Sequence, residues 1–227
     1  MAREETFTPW YFQPEIAKVY ESFYEGKYKE ADIQEKNLLK FLLDQIDGVG
    51  EILEVGCGTG HFTRWLNSLG YKVVGADISP VMLGVAKELW KDGKFVNARA
   101  EFLPFKDKSL HVDRFVAYLV YMPVLVRVFR EARRVARRGI VMGLMNRWSL
   151  PTIRRIIQVK LGKNPYYFNA RFYSLPMIKK KIKQAFVDGE FEFLDWSCAV
   201  FPKIFGIKKL VKIPFLGSFL GVGVKFK

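Results

Sequence analysis

Apolar positions in the first 48 residues recur at helical spacing. Ile16, Val19, Tyr20, Phe23 and Tyr24 share one face, and Leu38, Leu39, Leu42, Leu43 and Ile46 repeat the pattern, so amphipathic helices are expected there. Gly48 and Gly50 stop the second run, and Ile52-Leu53-Glu54-Val55 follows as a short buried strand. From there strand and helix signals alternate. Phe62 to Leu69 reads as a helix closed by Gly70, and Lys72 to Ala76 as a strand. Pro80 opens a helix to about Trp90, because a first helical turn tolerates proline. Phe95-Val96 is a third strand and Val112 to Ala117 a fourth; a helix over Val124 to Ala136 leads into a fifth, Ile140 to Met145.

Strands alternating with single helices predict an α/β, doubly wound, mainly parallel sheet covered on both faces. Beyond Asn146 the rhythm changes. Residues 147–172 form an insert rich in Arg and aromatics, and Leu175 to Phe186 is a basic amphipathic helix. Phe191 to Trp196 and Phe219 to Phe226 are strands suited to antiparallel pairing at the sheet edge. The expectation is a seven-stranded sheet with an antiparallel edge strand, N-terminal helices and a helical insert after the fifth strand. With no internal repeat or low-complexity linker, 1–227 reads as one domain: helices over 1–48, a core half over 49–146 and a basic third over 147–227.

Composition narrows the class. Apolar residues make up 50% and charged ones 26% of the chain, a globular balance. Runs such as Phe115 to Met122 fall far short of a membrane span, and the start Met1-Ala2-Arg3-Glu4-Glu5 lacks a secretory apolar stretch. Cys57 and Cys198 give no disulfide framework, and no Cys/His cluster offers a metal site. A cytoplasmic protein without metal is expected. Charge is uneven: residues 1–146 carry 21 Lys/Arg against 19 Asp/Glu, whereas 147–227 carry 16 against 4. The last third therefore either faces an anionic partner, nucleic acid included, or forms a solvated basic surface.

The sharpest feature is Glu54-Val55-Gly56-Cys57-Gly58-Thr59-Gly60-His61, between a strand and a helix. Glycines there permit a tight turn and close approach of a ligand, and the helix beyond offers free N–H groups. Asp77 ends the second strand, 23 residues after Glu54, where an acid can bind both ribose hydroxyls of a nucleoside. The glycines fall as G-x-G-x-G rather than the G-x-G-x-x-G of dinucleotide sites.

Glu54 to Gly60 resembles the first motif of class I S-adenosylmethionine (AdoMet)-dependent methyltransferases. Gly75-Ala76-Asp77-Ile78-Ser79-Pro80-Val81-Met82-Leu83 resembles their second, and Ala100-Glu101-Phe102-Leu103-Pro104-Phe105 the segment over the adenine. The resemblance covers roughly residues 50–146, with two extra residues before Asp113. It implies AdoMet as cofactor, S-adenosylhomocysteine (AdoHcy) as product, and roles for matched positions. Gly56, Cys57, Gly58 and Gly60 shape the pocket at the methionine end with Glu54 beneath, and Asp77 holds the ribose. Ile78 and Met82 pack on the adenine, Ala100, Glu101 and Phe102 meet its edge, and Tyr118 lies near the transferred methyl.

Displacement from a sulfonium needs alignment and exclusion of water more than a catalytic group, so no catalytic residue is identified. His61, His111 and Tyr118 are the candidates for a proton acceptor. Tyr20, Tyr24, Tyr121 and Asn146 are candidates for acceptor contacts, and Trp10, Tyr11, Phe12, Phe23 and Tyr28 are either a lid or core. Asn164-Pro165-Tyr166-Tyr167 is similar to a motif of amino-group methyltransferases but lies too far beyond the fourth strand. Tyr20 to Tyr28 and the C-terminal third resemble small-molecule methyltransferases of ubiquinone and menaquinone biosynthesis. That implies a small-molecule acceptor. The alternative is RNA or protein docking on one open face of Arg147, Arg154, Arg155, Lys160, Lys179, Lys180, Lys181 and Lys183. A third class, a peripheral membrane or regulatory protein, rests on the Lys- and Phe-rich residues 201–227.

Overall fold

A computed structural model of the chain describes residues 9–26, 28–48, 50–108, 112–118, 122, 124–163, 167, 170–187, 189–201 and 210–227, with the side chains of 112–115, 117 and 118 left out. Strands β1 (Glu51–Val55), β2 (Lys72–Asp77), β3 (Lys94–Asn97), β4 (Val112–Tyr118) and β5 (Gly139–Asn146) pair in parallel. Helices α4 (His61–Ser68), α5 (Pro80–Leu89) and α6 (Leu125–Val135) fall between them. After β5 come α7 (Leu150–Lys160), β6 (Phe172–Tyr173), α8 (Leu175–Ala185), β7 (Phe191–Ala199) and β8 (Phe219–Phe226). Ahead of β1 lie a 3-10 turn (Trp10–Phe12), α1 (Pro14–Val19), α2 (Ser22–Glu25) and α3 (Lys29–Leu43).

Among the described residues the sheet has eight strands: the path β3-β2-β1-β4-β5-β8-β7, plus β6 paired to the end of β5. Two expectations are corrected here. The two-residue β6 raises the count above seven. The antiparallel strand, β8, is not at the edge; it lies between β5 and β7, antiparallel to both. Gly221 explains why α3 covers that part of the sheet, since a Cβ there would stand 2.8 Å from Leu38 Cγ. The extra sequence before Asp113 appears as a register shift, Glu51 facing Val112 but Ile52 facing Arg114, the mark of a β-bulge.

Burial explains the unbroken apolar strands. In β1, Ile52 joins the cluster with Leu38, Leu42 and Leu66, whereas Leu53 joins the one with Phe129, Ile178 and Val224. Successive residues thus feed opposite faces, one covered by α3 and α4, the other by α6 and α8. Strand order reverses between β1 and β4, and the carboxyl ends of those strands open a crevice where open α/β sheets bind ligands.

Candidate active site

At the end of β1 the chain turns through Gly56, Gly58 and Gly60 with φ of 80°, 54° and 77°, a region costly for any residue with a Cβ. Gly56 N–H donates to Ala76 O at 2.8 Å, locking the loop to β2. Gly58 N–H donates to Asp77 Oδ2 at 2.9 Å, and Ser79 N–H to Oδ1 at 2.8 Å. Asp77 is thereby fixed at the crevice; burial raises its carboxyl, and the bonds from Ser79 and Gly58 work against that. Beneath the loop, Glu54 is 1% exposed and accepts the Thr63 hydroxyl at 2.5 Å. Burial pushes it up to about 8, although the Thr63 bond opposes the shift.

The N-terminal helices are latched over this floor. Glu21, between α1 and α2, accepts from Thr59 Oγ1 at 2.5 Å and from Arg64 at 2.6 Å. On α3, Asp32 pairs with Lys36 at 2.6 Å and with His61 Nε2 at 2.8 Å, while His61 Nδ1 lies 3.4 Å from Glu21. Tyr24 stacks on the His61 ring with centroids 3.7 Å apart and an interplanar angle of 4°. Ser79 both caps α5 and donates to Tyr11 O at 2.5 Å. Sequence reading treated His61 as a candidate base; in the structure both ring nitrogens face carboxylates of the latch.

Floor and helices enclose a cavity of about 990 Å³. It is lined by Glu54, Gly56, Cys57, Gly58, Asp77, Ile78, Met82, Ala100 and Glu101, and by Tyr20, Tyr24 and further aromatics of the N-terminal helices. Gly60 and Phe102 do not line it, and Phe102 is 65% exposed. Asn146 is also elsewhere. It is buried, and its Nδ2 donates to Pro214 O at 2.5 Å and Gly217 O at 2.7 Å, tying β5 to the segment before β8. His111, Tyr121 and residues 164–166 lie outside the described residues, as does the Tyr118 side chain.

Sequence reasoning missed Glu35 and placed Arg155 elsewhere. Glu35 lines the cavity, and burial, with the nearby Asp32 charge, pushes it up to about 8. Its signal was present: Ala31, Glu35, Leu38 and Leu42 form one helical stripe, so Glu35 is an acid on an otherwise apolar face. Arg155 lines the same cavity, while Arg154 and Lys160 are exposed. The basic residues of the last third therefore do not all share one open face. Cys57 and Cys198 are free and buried. Among the described residues there is no metal-ligand cluster and no helix long and apolar enough to cross a membrane.

Residues 53–142 match the family model described as a methyltransferase domain. An uncharacterized protein of Methanocaldococcus jannaschii is 29% identical over 167 residues, covering 73% of this chain and 77% of that protein. A demethylmenaquinone methyltransferase of Chlorobaculum tepidum is 39% identical over 98 residues, covering 42% of this chain and 40% of that enzyme. The chain thus spans under half the length of that relative. A solved SAM-dependent methyltransferase of Thermotoga maritima, titled a possible histamine N-methyltransferase, superposes with a TM-score of 0.73 at 21% identity, covering 96% of this chain and 99% of that one. The Rossmann-like fold, the glycine loop and these matches define the class. Residues 53–142 form a methyltransferase domain, and the matches make the chain an enzyme that uses AdoMet as cofactor.

Proposed function

We propose that this enzyme, working in the cytoplasm, transfers the AdoMet methyl group to a small-molecule acceptor enclosed between its N-terminal helices and the insert after β5. The observation that carries this reading is one cavity lined both by the glycine loop and by aromatics of the N-terminal helices. Its volume of about 990 Å³ is near the upper end for a site holding one drug-sized ligand, which leaves room for a cofactor and a compact acceptor. The demethylmenaquinone methyltransferase among the relatives supports an acceptor of that kind.

The residues fit the cofactor. A Cβ on Gly58 would project into open space, so the backbone can come close to a ligand there, and Asp77 is held by N–H donors at the crevice. In this reading 49–146 holds AdoMet, 1–48 is the lid and 147–227 supplies the acceptor side. Asp77 takes the ribose hydroxyls, Ile78 and Met82 pack on the adenine, and Glu54 lies beneath the methionine end. AdoMet, when bound, supplies a methyl already activated by its sulfonium charge. The protein's part is to align the acceptor and exclude water, to which Tyr20, Tyr24 and the latch contribute by covering the cavity.

The test is transfer of labelled methyl from AdoMet into a cell extract by wild type and Asp77→Ala, with products split into nucleic acid, protein, organic-soluble and small polar fractions. Label in the organic or small polar fraction, lost in the variant, is the expected result. Nuclease- or protease-sensitive label would overturn the small-molecule reading in favour of a macromolecular acceptor.

A further inference from the structure

Helix α7 is amphipathic the wrong way round for a surface helix. Leu150, Ile153 and Ile157, with Leu161 just beyond its end, form an outward stripe 61, 44, 52 and 63% exposed. The inward face holds Thr152, fully buried, and the half-buried Arg155, Ile156 and Val159. The opposite rotation would bury the larger apolar stripe, yet α7 turns Arg155 inward.

Inside, Arg155 is only partly satisfied. Its guanidinium lies over the Tyr167 ring, 5.4 Å from the centroid. Its Nη1 is buried with no hydrogen-bond partner among the described residues. An arginine cannot shed its proton to relieve this, and a buried unpaired charge is costly. The nearby acids are poor partners. Asp32 is engaged by Lys36 and His61, and Glu21 by Thr59 and Arg64. Glu35 is within electrostatic reach of Arg155, but burial favours its neutral form at pH 7. A second cation, Arg171, is exposed and also lines the cavity. Around Arg155 the cavity therefore offers a planar set of N–H donors beside the Tyr167 ring.

We infer that Arg155 binds an oxyanion, a carboxylate or phosphate, carried by the methyl acceptor. Arg171, also on the cavity wall, adds positive charge for that group, and the tyrosines pack on the acceptor's apolar body. The inference rests on the methyltransferase reading of the cavity and adds the chemical class of the acceptor. A planar guanidinium suits either anion through paired N–H donors.

The test is calorimetric binding to AdoHcy-loaded protein of four probes with one ring system: naphthoate, naphthyl phosphate, naphthalenemethanol and naphthylmethylamine. Wild type, Arg155→Met, Arg155→Lys and Glu35→Gln are compared, with AdoHcy affinity measured separately to show that each variant is folded. Expected is a preference of wild type for an anionic probe over the neutral one of roughly tenfold to hundredfold. Arg155→Met should abolish it, Arg155→Lys keep part of it, and Glu35→Gln preserve or strengthen it. Which anion binds better separates carboxylate from phosphate. An anionic probe that binds wild type no better than the neutral one overturns the inference, as does a preference surviving in Arg155→Met. A cationic probe that binds best and is lost in Glu35→Gln overturns it too, and makes the site one for amines. If wild type fails to bind AdoHcy, the cofactor reading falls; the probe series on unloaded protein still decides the role of Arg155.

Discussion

Asp32→Asn removes the charge at the centre of the latch between α3 and α4. Asp32 is 8% exposed, with Lys36 Nζ at 2.6 Å on one oxygen and His61 Nε2 at 2.8 Å on the other. The amide keeps the shape but leaves Lys36 and His61, 2.9 Å apart, without their shared acid. A hydrogen bond to a charged group contributes roughly 1.5–3 kcal/mol, and removing one partner of a buried pair costs roughly 3–5 kcal/mol. The Lys36 side chain is 18% exposed and can turn to water, so a loss of about 2–3 kcal/mol is expected. In a chain of this size that lowers Tm by roughly 5–10 °C.

The pH dependence supplies a second reading. Burial disfavours the charged His61 ring, but hydrogen bonds to Asp32 and Glu21 outweigh it and raise the pKa. The stabilisation from that shift is complete below about pH 6.5 and is lost as pH rises through the raised value. Burial would raise Asp32, but bonds from His61 and Lys36 hold it low; its share is present above about pH 4 and is lost as pH falls. The difference in unfolding free energy between wild type and Asp32→Asn should therefore be greatest between about pH 4 and 6.5 and shrink above that. Urea unfolding across this range measures it. A variant within about 0.5 kcal/mol of wild type, or a difference that does not change with pH above 6.5, would refute the latch.

Asp77→Ala should weaken AdoHcy binding on the order of a hundredfold, read by calorimetry. Asn146→Ala should cost about 2–3 kcal/mol in urea unfolding, because it strips the donor from two carbonyls, while AdoHcy affinity stays unchanged; a reduced affinity with normal stability would return Asn146 to the site. Gly221→Ala puts a Cβ 2.8 Å from Leu38 Cγ and 2.9 Å from Leu42 Cδ1, so a loss of about 1–3 kcal/mol is expected. Gly84→Ala meets nothing within 4 Å and lies within α5, so it should gain about 0.5–1 kcal/mol. The two alanine variants should shift the urea midpoint in opposite directions.

Local pattern was enough to read most of the elements and the glycine loop with Asp77 beside it. Hydrophobic periodicity placed β1 to β5 and the helices between them, because inner strands such as β1 and β5 bury both faces and each helix one. Gly56, Gly58 and Asp77 were legible because the turn needs positive φ and the acid follows at a fixed distance along the chain. Sheet order past β5 was not, since Phe219 to Phe226 reads the same as an edge strand or an inner one until Gly221 lets α3 pack across it. Long-range pairing also decided the fate of polar groups. Asn146 lies in line with the site in sequence, yet the Pro214 and Gly217 carbonyls claim its amide. Arg154 and Arg155 are adjacent and chemically identical, but the rotation of α7 leaves one in water and turns the other into the cavity. A sequence carries residue types and spacing; which face of α7 meets the crevice depends on elements far away in the chain, and only their packing fixes it.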